Sequence, residues 1–191
     1  MGGARVLVVH YSRTGNTRRV AGAIARALGA DSEQIADRAD RAGPLGYLRS
    51  ALEAILGAST GIGPPGRDVA GYDLVVVGTP VWYASVSSPV RTWLRLVRRR
   101  LPEVAFFLTH GGMGAERVMS QMAALAGKRP AARLVVRRRD LASGADREKV
   151  EAFARSLARG LGAGRPRGSG RGRRRTKAPA RLRRSARPPI R

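Results

Sequence analysis

The sequence predicts an α/β protein, a three-layer sandwich built on a five-stranded parallel sheet. Three observations predict it. Strand-like and helix-like segments alternate through the first 161 of 191 residues. Two of the strands, Asp73–Gly78 (DLVVVG) and Val104–Thr109 (VAFFLT), are unbroken apolar runs, as expected of strands covered on both faces. The helical segments between strands carry apolar residues along one side, so each has one face to bury against a sheet.

The elements follow in order. Arg5–Tyr11 is a β-branched run and reads as the first strand. Asn16–Leu28 places Val20, Ile24 and Ala27/Leu28 on one face and Arg18, Arg19 and Arg26 elsewhere, an amphipathic helix. Ser32–Ala36 is short and polar, which suits a strand only at a sheet edge. Residues 37–66 are ambiguous: Leu48, Leu52, Ile55 and Leu56 keep helical spacing, and the stretch from Gly57 to Gly66 then breaks any regular element. After the strand at 73–78, Pro89–Arg100 reads as a helix with Val90, Trp93, Leu94 and Val97 inward. The strand at 104–109 is followed by a helix over Ala115–Ala126, a short last strand over Arg133–Val136 and a last helix over Arg147–Leu161.

Beyond Leu161 the pattern stops. Residues 162–191 are dominated by Gly, Pro and Arg and hold twelve Lys or Arg and no acid. Such a composition buries too little apolar surface to offset the entropy of ordering. The expected organisation is one domain over 1–161 and a disordered basic tail over 162–191. The formal charge is +24, half of it in that tail. Arg outnumbers Lys by 34 to 3, a bias that a GC-rich gene alone would produce. No cysteine is present, which excludes disulfides, thiolate metal sites and cysteine nucleophiles. No run approaches the length of a membrane span, and the N-terminal apolar run is too short for a signal peptide. A cytoplasmic protein is expected.

The chemistry should lie outside the carboxyl ends of the central strands, where strand order reverses. Three loops leave the three apolar strands there: SRTGNT, TPVWYASVSSP and THGGMGAE. The first opens a helix. A helix N-terminus offers unpaired N–H groups and the positive end of a dipole. Ser12, Thr14 and Thr17 add hydroxyls, and Gly15 lets the backbone come close. One such residue would serve as an ordinary cap; this density suits a phosphate. No Gly-Lys-Ser/Thr follows, so it is not an ATP P-loop. The second loop carries Trp82 and Tyr83 beside Pro80, adjacent aromatics that a flat ligand would cover. The third, His110-Gly111-Gly112-Met113, keeps the backbone open. His10 and His110 end two central strands, with no Asp or Glu beside them in sequence, a poor metal site. Two motif matches lack their context. GIGPPG (Gly61, Gly63, Gly66) precedes a strand instead of opening a helix, and GASTG around Ser59 follows a helix instead of a strand.

These three loops, in this order, resemble the flavodoxin family. Ser12-x-Thr14-Gly15-x-Thr17 is similar to that family's phosphate-loop signature, VVVGTPVWYASVSSPVRTWL to the flavin loop of its small flavodoxin-domain branch, and FFLTHGGMGAERVMSQMAALAGKRP to the segment that follows. The resemblance spans roughly residues 4–160. It implies strand order 2-1-3-4-5 and non-covalent FMN. It would place Ser12, Arg13, Thr14, Gly15, Asn16 and Thr17 at the phosphate. Thr79, Pro80, Val81, Trp82 and Tyr83 would face the isoalloxazine ring, and His110, Gly111, Gly112 and Met113 would close its other side. No protein acid or base is expected to be catalytic.

Two departures from electron-carrier flavodoxins stand out. Residues 11–17, 79–89 and 109–115 contain no Asp or Glu, and Arg13 lies in the first stretch, so a more reduced, more negative flavin is favoured. No Gly appears between Thr79 and Pro89, where carriers commonly keep one. Electron transfer, or two-electron reduction of a quinone-like acceptor by NAD(P)H, is therefore expected, with an unidentified redox partner. The alternative is a degenerate fold acting as a binding module, its tail contacting nucleic acid or another polyanion nonspecifically. Apolar surface near the 45–56 helix would permit a homodimer.

Overall fold

The apolar runs form the middle of the sheet in the computed structural model, which describes residues 3–37 and 60–163. The elements are β1 (Val6–His10), α1 (Asn16–Leu28), β2 (Asp31–Gln34), β3 (Leu74–Trp82), β4 (Ser85–Val86), α2 (Ser88–Val97), β5 (Glu103–His110), α3 (Ala115–Ala126), β6 (Arg133–Arg137), α4 (Arg138–Ser143) and α5 (Asp146–Ala163). The order across the sheet is β2-β1-β3-β5-β6, with β4 a short antiparallel addition to β3. The five long strands are parallel and follow the expected 2-1-3-4-5 order.

Alternation of side chains along each strand builds two cores, one on either face. On one face Leu7, Val9, Val75, Val77, Phe106 and Leu108 meet Trp93, Leu94 and Val97 of α2 and Met119 and Met122 of α3. On the other, Val6, Val8, Val76 and Phe107 meet Val20, Ile24 of α1 and Val150, Phe153 and Leu157 of α5. Each large side chain fully buried this way contributes about 1.5–3 kcal/mol relative to exposure. β2 is polar because it sits at an edge and pairs only with β1.

Several boundaries differ from expectation for identifiable reasons. β3 does not stop at Gly78 but runs to Trp82. Gly78 is there because the Phe107 ring fills the space a Cβ would need, so the glycine marks close packing and not a strand end. On α1 the buried face is Thr17, Val20, Ala21, Ile24 and Ala25; Ala27 is exposed and Leu28 half-buried. α2 ends at Val97, and Arg98–Arg100 forms a separate 3-10 turn. Residues 138–143 form an unexpected short helix, α4. α5 runs two residues past the expected Leu161. The helix expected within 45–56, the apolar surface linked to it and nearly all of the basic tail lie outside the described residues. Among the described residues no helix is long and apolar enough to cross a membrane. One discarded motif, GIGPPG, has a structural use: Gly63 N–H donates to Ala36 O (2.8 Å) and Gly66 N–H to the Glu33 carboxylate (2.9 Å), whereas Ser59 of the other lies outside the described residues.

Candidate functional site

The carboxyl ends of β1, β3, β5 and β6 surround a cavity of about 900 Å³. Four walls define it. The first is the turn after β1. Ser12 Oγ accepts the Gly15 N–H (3.2 Å), and Gly15 takes a left-handed φ of 90° as it leads into α1. No side chain caps that helix, despite three hydroxyls nearby. The N-terminal donors of α1 thus open beside Thr14, Asn16 and Thr17, which line the cavity, a setting that suits an anion.

The second wall is the β3–β4 hairpin. Trp82 pairs with Ser85, and Tyr83 and Ala84 form a two-residue turn with φ of 48° and 53°. Left-handed angles at both positions define the turn that matches strand twist, although neither residue is the usual Asn or Gly. Trp82 meets Tyr11 edge-on (5.5 Å between centroids), and the Arg13 guanidinium lies 6.0 Å from the Trp82 ring. The third wall follows β5, where Thr109, His110 and Gly111 line the cavity. Thr109 Oγ1 is hydrogen-bonded to Thr17 Oγ1 (2.8 Å), tying this wall to the first turn of α1.

The fourth wall is Arg138, Leu141 and Ala142 of α4. The Asp140 carboxylate anchors α4: it accepts from Lys149 Nζ (2.6 Å) and the Arg137 N–H (2.8 Å), and these bonds hold its pKa below the usual value. Arg19, also on the lining, donates to Leu141 O (3.2 Å) and pairs with the buried Asp146 (3.2 Å). Three arginines and no carboxylate line the cavity, among the described residues.

Ten of the sequence-predicted residues line this space: Arg13, Thr14, Asn16, Thr17, Pro80, Val81, Trp82, Tyr83, His110 and Gly111. Five do not. Ser12 and Gly15 shape the turn behind it. Thr79 is buried beneath the hairpin, bonded to Ser87 (3.0 Å) and Pro80 O (2.9 Å). Gly112 and Met113 are exposed beyond the lining, Met113 at 88%. Arg19, Thr109, Arg138, Leu141 and Ala142 were not legible as lining. Helix α4, directly after β6, carries three of them, and the position of β6 beside β5 was the available signal.

The two histidines part company. His110 lines the cavity, and neither buried ring nitrogen has a partner among the described residues. His10 is buried at the end of β1, outside that lining, and its ring nitrogens likewise make no hydrogen bond of good geometry among the described residues. Its burial, then the charge of Arg18, lower its pKa to about 4, against weaker contacts with Gln34 and the Glu33 backbone. No group of three or more His, Cys, Asp or Glu that could hold a metal occurs among the described residues.

A family model described as NADPH-dependent FMN reductase matches residues 4–152. The chain belongs to this family. As a family member it is an FMN-binding, flavodoxin-like redox protein. Among solved structures it is similar to a flavoprotein of Lactobacillus acidophilus in complex with FMN, at 24% identity and TM-score 0.60, covering 75% of this chain and 98% of that one. The apo form of that protein aligns at 25% identity and TM-score 0.56, over 72% and 93% of the two chains. A flavodoxin from the domain Archaea aligns at 16% identity and TM-score 0.53, over 83% and 99%. No curated protein matches in sequence. Nothing in these likenesses supports the binding-module alternative. The residues present fit FMN on structural grounds: an uncapped helix N-terminus for a phosphate, an aromatic hairpin for a flat ring, and an orphaned His110 beside it.

Proposed function

We propose that this FMN reductase family member is a two-electron reductase that passes hydride from NAD(P)H to a quinone-like acceptor. The observation that carries the reading is the charge of the cavity: Arg13, Arg138 and Arg19, the last paired with the buried Asp146, line it, and no carboxylate does among the described residues. Bound there, FMN would supply the ring that accepts and donates hydride. The first turn of α1, with Thr14, Asn16 and Thr17, would hold the phosphate through N–H and hydroxyl donors. Trp82 and Tyr83 would cover one side of the ring and exclude water. His110 and Gly111 would close the other, with a His110 nitrogen gaining the partner it lacks. With FMN bound, the lining arginines would favour the more negative, fully reduced form and raise its two-electron potential.

Stepwise anaerobic reduction of the FMN-loaded protein, followed in the visible spectrum, tests this. Direct passage from oxidised to fully reduced flavin, together with oxidation of NAD(P)H in the presence of a quinone, is the expected result. Accumulation of a half-reduced species would instead assign one-electron transfer.

A further inference from the structure

We infer that Arg91 is the positioning residue of the aromatic wall, fixing the β3–β4 hairpin from beneath and so setting how Trp82 and Tyr83 meet a ring. The inference rests on the reading of the cavity as a flavin site. Arg91 is in α2, which does not line the cavity, and it is 7% exposed. Among the described residues no carboxylate pairs with it. An arginine buried without a counter-ion is costly, and with the Arg91 Nε also buried without a partner among the described residues, the offset must come from its Nη groups. Here one Nη donates to Ser85 Oγ (2.8 Å) and to Val86 O (3.3 Å), the two residues of β4. Burial and the neighbouring charge of Arg95 lower its pKa, although an arginine keeps its proton at any physiological pH.

The same strand is held from a second side. Gln121 of α3 accepts through Oε1 from the Ser85 hydroxyl (3.1 Å) and from the Val86 N–H (3.0 Å). Ser85 therefore receives from Arg91 and donates to Gln121. That direction is fixed, because the guanidinium has only donors. β4 has only two residues and one strand partner, β3. Its pairing alone would not hold a turn whose two central residues, Tyr83 and Ala84, both sit at left-handed φ. A neutral, shorter side chain at position 91 would leave the Ser85 hydroxyl and Val86 carbonyl without their charged donor.

The test compares FMN with riboflavin, which has the ring but no phosphate, on wild-type protein and on Arg91→Met and Thr14→Val. Binding of FMN by wild type tests the site; its absence would overturn the flavin reading and this inference with it. Given wild-type binding, Arg91→Met should weaken both ligands by the same factor, about tenfold. It should also change the visible circular dichroism of bound FMN. Thr14→Val should weaken FMN alone. Unchanged ring affinity and dichroism in Arg91→Met would overturn the inference and leave the flavin site standing. If Arg91→Met does not fold, Ser85→Ala removes the acceptor where Arg91 and Gln121 meet, and the same pattern is expected of it at smaller size. Arg91→Lys keeps the charge and should recover part of the loss; no recovery beyond Met would show that charge at this position does not hold the wall, and would also overturn the inference.

Discussion

Gly15 and Gly114 hold nearly the same backbone angle at the same kind of place. Each is the N-cap residue of a helix beside the cavity, with φ of 90° and 92°. Their surroundings differ. A Cβ on Gly15 would meet only the end of the Arg18 side chain, 3.7 Å away. A Cβ on Gly114 would lie 2.6 Å from the Ala84 Cβ and 2.8 Å from its Cα. Gly15 serves a turn made by its own neighbours. Gly114 serves the hairpin, distant in sequence, by letting Ala84 press against it. The phosphate-like end of the cavity is thus built locally, and the aromatic end is built by remote parts of the chain that meet only on folding.

The sharpest way to break this contrast is one substitution made twice. Gly15→Ala should cost about 1–2 kcal/mol, the price of a left-handed angle for a residue with a side chain. Gly114→Ala should cost about 3 kcal/mol, because overpacking against Ala84 adds to the same strain. Urea midpoints of the two variants measure the difference directly. Equal losses would mean that the Ala84 contact relaxes freely and the hairpin does not depend on it.

His10 and Asp140 give a second contrast, in the pH at which each acts. His10 titrates near 6.5 in the unfolded chain and at about 4 in the folded one. At pH above 6.5 both states are neutral and the group contributes nothing. As pH falls from 6.5 to 4 the unfolded state takes up a proton that the folded state refuses, so stability drops, by roughly 3 kcal/mol in all, and levels off below 4. The lowered pKa of Asp140 acts in a lower window, since its stabilisation fades only below the ordinary carboxylate range. His10→Gln should flatten the stability profile between pH 6.5 and 4. A slope that survives in the variant would place its origin in another group.

How much of this was legible in the sequence follows from the same distinction. The existence of the central strands and the spans of α1 and α3 were readable, because apolar period is a local signal, whereas the order of the five parallel strands was implied by the family resemblance. The turn from Ser12 to Thr17 was readable too. The hairpin was not: TPVWYASVSSP reads as a loop because Tyr83-Ala84 is not a recognised turn pair, and Gly114, Gln121 and Arg91 stabilise it from other helices. Gly78 read as an end for the same reason, since its need is set by Phe107. The α4 wall was missed because a short helix that depends on Asp140 bonding to Lys149 has no periodic pattern of its own. Thr79 looked like a lining residue because it stands at the right end of the right strand, but it is fully buried with its hydroxyl bonded to Ser87.

The smallest effect asks whether the two ends act as one. Thr17 belongs to the locally built end and Thr109 to the end assembled at long range, and their hydroxyls meet at 2.8 Å in a buried position. Either can donate. Thr17→Val and Thr109→Val should each destabilise by about 1 kcal/mol, because each leaves one buried hydroxyl without its partner. The double variant should cost less than the sum of the two, since replacing both hydroxyls by methyl groups leaves no orphan. Full additivity in the thermodynamic cycle would show that the hydroxyls find other partners when separated. The α1 turn and the β5 wall would then be independent structures that share a cavity, and the contrast between Gly15 and Gly114 would extend to the whole of each end.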